Sequence, residues 1–166
     1  MQIEIFDLKV IILMVKLKEM ENLFLKMIHI LYGQYKNDKR NEKGKEYYAN
    51  GNIEFEGDYI NDKREGNGKY IGEDGSYFIA QFKNGLFNGK GKKYFAKGNI
   101  EFEGDYMNGK AEGNGKYIWE DGSYYIGQFK KGLPNGKGKK YYANGNIRFE
   151  GNWIDGEFVE NLLFDI

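Results

Sequence analysis

The sequence predicts an all-β fold, an elongated single-layer antiparallel meander of stacked β-hairpins. Three observations carry this expectation. The first is composition: of 166 residues, 24 are Gly, 17% are aromatic and Pro occurs once. That mix suits many short strands joined by tight turns, and suits neither collagen nor a disordered chain. The second is a repeat. Gly-type anchors fall at Gly33, Gly57, Ala80, Gly104, Gly127 and Gly151, at intervals of 24, 23, 24, 23 and 24 residues. A fixed period of this kind marks a repeat array. The third is a period of two within each repeat. In Phe102-Glu103-Gly104-Asp105-Tyr106, ring or Gly alternates with charge, as a half-buried strand requires.

Taken in order, the chain first divides at residue 32. All 24 Gly lie in 33–156, and residues 1–32 are rich in Ile, Leu, Met and Val. Uncharged runs such as Val10 to Val15 fall far short of the roughly 20 apolar residues of a membrane-crossing helix. Glu4 and Asp7 spoil the basic start of a secretory signal. At face value residues 1–32 form a helix with a weak amphipathic pattern. A second reading comes from shifting the codons of this segment by two bases. Met1-Gln2 then forces Ala, and Met14-Val15 and Met20-Glu21 each force Gly, as the repeat carries at those points. Most of the remaining codons can also be read as the repeat. Residues 1–32 are therefore also read as an out-of-frame translation of an earlier repeat, against the alternative of a genuine N-terminal helix. On that reading the apolar start and His29 carry no function.

From residue 33 each repeat reads as one hairpin. Phe102 to Tyr106 is the outgoing strand, Asn108 to Glu112 a polar turn, and Gly113 to Tyr117 the return strand. Glu120-Asp121-Gly122-Ser123 and Ala143-Asn144-Gly145-Asn146 then supply Asp-Gly and Asn-Gly, read as type I′ turns. Repeats also pair into a 47-residue unit, since residues 54–100 and 101–147 match at 37 of 47 positions. The array is expected over 33–157, as five full repeats and a terminal half repeat, with 158–166 as a tail. Gly33, Gly57, Gly68, Gly91, Gly104, Gly115, Gly127, Gly138 and Gly151 are read as structural, leaving bare backbone against which neighbouring rings can lie.

Enzyme chemistry is short of parts. There is no Cys and no Thr, His29 is the single His, and Ser76 and Ser123 are the only Ser. Serine, thiol and histidine-metal sites therefore lack their partners. Gly85 to Lys90 faintly resembles a phosphate loop, but the spacing is one residue short and no Ser or Thr follows the Lys. We expect no catalytic residue, no metal, no cofactor and no enzyme activity.

Two candidate surfaces remain. Alternation places Phe55, Gly57 and Tyr59 on one face and Glu54, Glu56 and Asp58 on the other. Phe55, Tyr59, Tyr70, Phe82, Phe102, Tyr106, Tyr117, Phe129 and Trp153 are the candidate interaction face. They are read either as the internal packing of the array or as an open face for a partner or a second copy. Charge alternates by hairpin: residues 77–98 carry five Lys and no acid, whereas 101–122 carry six acids and two Lys. Lys90, Lys92, Lys93, Lys137, Lys139 and Lys140 are candidate anion contacts. Their alternative role is register control, a basic hairpin favouring an acidic neighbour by about 0.2–1 kcal/mol per pair. With 25 basic and 25 acidic residues, and acidic hairpins interrupting any basic track, nucleic acid is not an expected partner.

The pattern resembles the MORN (membrane occupation and recognition nexus) repeat family. Its signature of aromatic-x-Gly-x-aromatic, a turn Gly, a Gly-x-Gly return and a final turn Gly is met by Phe102, Gly104, Tyr106, Gly109, Gly113, Gly115 and Gly122. It recurs at Tyr125, Gly127, Phe129, Gly132, Gly136, Gly138 and Gly145. Ala80 departs from the anchor Gly, Asp38 and Asp62 from the turn Gly, and Glu42 from the first return-strand Gly. The resemblance implies a non-catalytic scaffold or adaptor that contacts proteins. Its alternative is a peripheral phosphoinositide-binding module, either alone or as the regulatory part of a lipid-kinase-like protein, with weak anionic-lipid binding that salt removes. A third reading is a spacer in cilia or cortex. It implies a cytoplasmic setting, not a secreted one, at cytoskeleton, cilium or membrane surface, with a homo-oligomer as one mode of assembly.

Overall fold

The computed structural model describes residues 32–159, so both readings of residues 1–32 fall almost wholly outside the described residues. The strands are β1 (Tyr32–Lys36), β2 (Lys39–Tyr47), β3 (Ile53–Ile60), β4 (Lys63–Ile71), β5 (Tyr77–Lys83) and β6 (Leu86–Tyr94). They continue as β7 (Ile100–Met107), β8 (Lys110–Ile118), β9 (Tyr124–Lys130), β10 (Leu133–Tyr141), β11 (Ile147–Ile154) and β12 (Glu157–Val159). All pair antiparallel with their sequence neighbours into one open sheet, in the order β1 to β12. The all-β meander is therefore as the sequence predicts. Every strand follows its partner through a short loop, and such a topology needs no crossover.

A seam of Gly crosses the sheet. Gly33 opposes Gly44, and pairing continues through Gly57, Gly68, Ala80, Gly91, Gly104, Gly115, Gly127 and Gly138 to Gly151. The structural glycines read from the sequence are thus members of one ladder. The seam is bare because rings fold over it. A Cβ on Gly68 would stand 2.5 Å from Cζ of Phe55, and one on Gly104 would stand 2.7 Å from the Gly115 Cα.

Two kinds of turn alternate, and here the structure corrects the sequence reading. The supposed polar turn Asn108 to Glu112 is a two-residue turn, Asn108-Gly109, with the rest already in β8. Both turn residues have positive φ, 50° and 83°, as a type I′ turn demands. Asn84-Gly85, Lys131-Gly132 and Asp155-Gly156 repeat this geometry. Glu120 to Ser123 and Ala143 to Asn146 are not type I′ turns. There φ is positive only at Gly122 and Gly145. Gly122 N–H donates to the Trp119 carbonyl and Trp119 N–H to the Ser123 carbonyl, at 3.0 and 2.9 Å. This is a three-residue loop, in which a type I turn precedes a left-handed Gly. Its length, not the presence of Asp-Gly, decides the turn type.

Successive two-residue turns are tied along one edge of the sheet. Gly85, Gly109, Gly132 and Gly156 donate N–H to the carbonyls of Arg64, Phe87, Ala111 and Pro134, each at 2.9 Å. The array also runs further than the sequence suggests. Beyond Trp153 the chain turns at Asp155-Gly156, and β12 returns, pairing Trp153 with Phe158. Phe158, assigned to the tail by the sequence, stacks on Phe149 at 5.0 Å.

Candidate interaction surfaces

The ring-bearing face is built from alternate residues of each strand, and its rings contact one another. Tyr59, Phe55, Phe82, Phe87, Tyr106, Phe102, Phe129, Tyr125, Trp153 and Phe158 form an unbroken chain with centroids 5.0–5.7 Å apart. Most pairs meet edge to face or tilted, as ring quadrupoles prefer. Seven of the nine residues of the candidate interaction face, Phe55, Tyr59, Phe82, Phe102, Tyr106, Phe129 and Trp153, are buried. They are the array's packing, and the open-face reading is corrected for these seven. Burying such a ring contributes about 1.5–3 kcal/mol each. Tyr70 and Tyr117 alone of the set are half-buried. Burial pushes the Tyr106 and Tyr59 phenols well above their ordinary value, and nearby carboxylates add to the shift.

The candidate face read from the sequence leaves out Phe78, Phe87, Phe149 and Phe158, and Tyr125, which is read only as part of the repeat signature. Tyr125 and Phe78 precede their anchors Gly127 and Ala80 by two residues, as Phe55 and Phe102 do, so the spacing held that signal. The two behave differently because of the anchor. Tyr125 is fully buried and lies over Gly127 and Gly138. The Ala80 methyl occupies that space in β5, and Phe78 stacks on Phe87 instead, at 4.6 Å.

The same face carries a charged layer near its N-terminal end. Arg40 and Arg64 both bond the Glu46 carboxylate, and Arg64 also reaches Glu54 at 3.2 Å. Arg64 lies 4.5 Å over the Phe55 ring, and Arg40 lies 4.4 Å over Tyr59. Burial raises the Glu46 pKa, but the two guanidiniums outweigh it and hold the carboxyl below the usual range.

The opposite face is a lattice of charged rungs. Lys90 pairs with Asp105 at 2.6 Å, Lys92 with Glu103 at 3.0 Å and Lys139 with Glu150 at 2.8 Å. Each pair links directly opposed residues of neighbouring strands. Tyr77 stacks on Tyr94 and Tyr124 on Tyr141, at 4.4 and 4.5 Å. The six candidate anion contacts therefore form no single surface. Lys93 and Lys140 lie on the ring-bearing face, Lys93 paired with Glu101 at 2.8 Å and Lys140 over Trp119 at 4.2 Å. Four of the six are matched by acids, which favours register control.

The profile of the MORN repeat family matches residues 32–53, 55–77, 78–100, 102–124 and 125–147. No curated protein matches the chain. Five consecutive matches, on the hairpin units seen in the structure, cover more than half of the sequence, and the chain belongs to the MORN repeat family.

Proposed function

We propose that this array is a non-catalytic scaffold that mediates protein–protein interaction. The observation that carries the reading is the single open layer. Rings packed on one face hold the sheet together, and its breadth is left to present surface rather than enclose a substrate. Depressions of about 440 and 430 Å³ lie on it, the first over the Gly seam beside Lys43 and Lys69, the second beside Ser76 and Lys93. The Ser76 hydroxyl in the second is spent on the Asp74 carboxylate at 2.7 Å, which closes the local turn.

The test is affinity capture from the source cell with the full chain at about 0.15 M salt, beside co-sedimentation with phosphoinositide liposomes. Apolar contact is not screened, whereas surface charge contacts are. A saturable protein partner retained at that salt supports the scaffold. Headgroup-specific sedimentation at the same salt, lost when Lys90, Lys92, Lys93, Lys137, Lys139 and Lys140 become Gln, would put phosphoinositide binding first. The spacer reading is the outcome if neither ligand is held.

A further inference from the structure

We infer that Lys140 and Arg148 form a carboxylate-binding site for an acidic peptide segment of a partner protein. The inference rests on the scaffold reading and names the chemistry that the partner presents. The array contains a filled copy of the same site 47 residues earlier. Lys93 corresponds to Lys140, and Glu101 to Arg148. In both strand pairs the register slips by one residue, and Glu101 or Arg148 is the extra residue beside Phe102 or Phe149.

In the earlier copy Lys93 holds the Glu101 carboxylate at 2.8 Å, and the Tyr117 hydroxyl donates to it at 3.4 Å. Glu101 is only 8% exposed, so the carboxylate is built into the ring-bearing face. In the first unit, Glu46 and Glu54 take the two positions and Arg64 bridges them. Both of these units match carboxylate with cation. The last unit does not: Arg148 replaces the carboxylate, and neither Lys140 nor Arg148 has an ion pair among the described residues. The nearby Asp121 feels the Lys140 charge, but its carboxylate is held by the Ser123 N–H and hydroxyl, at 2.9 and 2.6 Å.

The surroundings favour a peptide carboxylate. Lys140 lies 4.2 Å over Trp119, and Arg148 lies 5.2 Å over Phe149 and 5.4 Å over Tyr142. Tyr142 is 48% exposed, and Arg148 is exposed. A Glu side chain brings both a methylene stem for the rings and a carboxylate for the two cations, as Glu101 does in the filled copy.

The probe is a fluorescein-labelled hexapeptide of alternating Phe and Glu, followed by anisotropy on the full chain, with the Phe/Gln peptide as control. The Glu peptide binds and the Gln peptide does not. Arg148→Glu rebuilds the Lys93–Glu101 pairing inside the last unit. It lowers affinity at least about tenfold, the size of one charge-assisted hydrogen bond, and leaves Tm unchanged or raised. Arg148→Gln lowers affinity without supplying the pair. Equal binding by both peptides, or binding unaffected by Arg148→Glu, overturns the inference. So does binding of inorganic phosphate through these cations without binding of the peptide. If the peptide binds only after Glu160→Gln and Asp165→Asn, the chain's own C-terminal residues fill the site and the partner assignment is overturned. Cellular capture unaffected by Arg148→Glu defeats this inference and spares the scaffold reading, whereas loss of all capture by the parent defeats the scaffold reading itself.

Discussion

Glu42 occupies left-handed backbone, with φ of 66°, at the position where later repeats place Gly66, Gly89, Gly113 and Gly136. A side chain there costs about 1–2 kcal/mol, because Cβ crowds the following carbonyl. Glu42→Gly removes the strain and adds unfolded-chain entropy, so we expect a net gain of about 1 kcal/mol. Thermal melting checks it, and an unchanged or lower Tm would count against a strained Glu42. The seam glycines show the converse. A Cβ at Gly115 would stand 2.6 Å from Phe102 Cζ, and one at Gly104 2.7 Å from the Asn114 carbonyl oxygen. Gly115→Val and Gly104→Val should each cost about 1–3 kcal/mol or more by overpacking. Parent-like melting of both variants would refute the ring-over-glycine packing. Glu46 sets a pH limit. Its folded pKa lies below the usual 4.5, so its stabilisation is full above that value and is lost as pH falls through the folded pKa. Glu46→Gln removes charge-assisted bonds worth about 1.5–3 kcal/mol at neutral pH. Its deficit relative to the parent should shrink below about pH 4.5. An acid titration of Tm in which the two curves stay parallel would exclude Glu46 as the titrating group.

Paired strands show how far the sequence could be read. Period-two alternation and the 23- and 24-residue intervals placed the strands, and the anchors placed the seam, because register is fixed wherever one face is buried. The turns were less legible. Asn108-Gly109 and Asp121-Gly122 carry similar residues, but one joins two strands in two residues and the other in three. What distinguishes them is the pairing across the loop, which no local dipeptide encodes. The candidate face was legible as a face but not as an interior. Rings at period two report which side they share, not that rings such as Phe82 and Phe102 close over Gly of a neighbouring strand. The Lys140–Arg148 pair was legible only as charge, since its meaning depends on the bulge that brings Arg148 onto the ring-bearing side. The charged rungs yield a prediction at this scale. Lys92 and Glu103 are directly opposed and 3.0 Å apart, with both side chains substantially exposed. Glu103→Lys sets like charges opposite each other and should destabilise by about 0.2–1 kcal/mol. Adding Lys92→Glu to it restores the loss, and about 1 M salt erases the difference. A double-mutant cycle in denaturant measures the coupling, and a zero coupling at low salt would remove register control as the role of these lysines.

Across the whole sheet the packing is not uniform. Phe55, Tyr59, Ala80 and Phe82 form one buried cluster, and Phe102, Tyr106, Ala111, Tyr125, Phe129 and Trp153 form another. Phe87 packs against both, 5.0 Å from Phe82 and 5.7 Å from Tyr106. The division falls beside Ala80, where the Gly seam is interrupted and Phe78 lies on Phe87 rather than over the seam. In a repeat array, stability is approximately the sum of unit terms and nearest-neighbour interfaces, so cooperativity is only as strong as its weakest interface. Phe87→Ala removes the ring that bridges the clusters while leaving the backbone ladder of β5, β6 and β7 in place. Truncating a fully buried Phe costs about 3–5 kcal/mol, and the half-buried Phe87 less. The loss falls on the interface rather than on either cluster. We therefore expect the parent to melt as one transition and Phe87→Ala to melt in two steps. Hydrogen exchange should report the same split, with β3 to β5 opening at lower free energy than β7 to β11. Phe55→Ala should weaken protection in β3 to β5 and spare β9 to β11. A single transition for Phe87→Ala, with protection lowered equally from β3 to β11, would show that the backbone ladder alone carries the coupling between the two halves of the sheet.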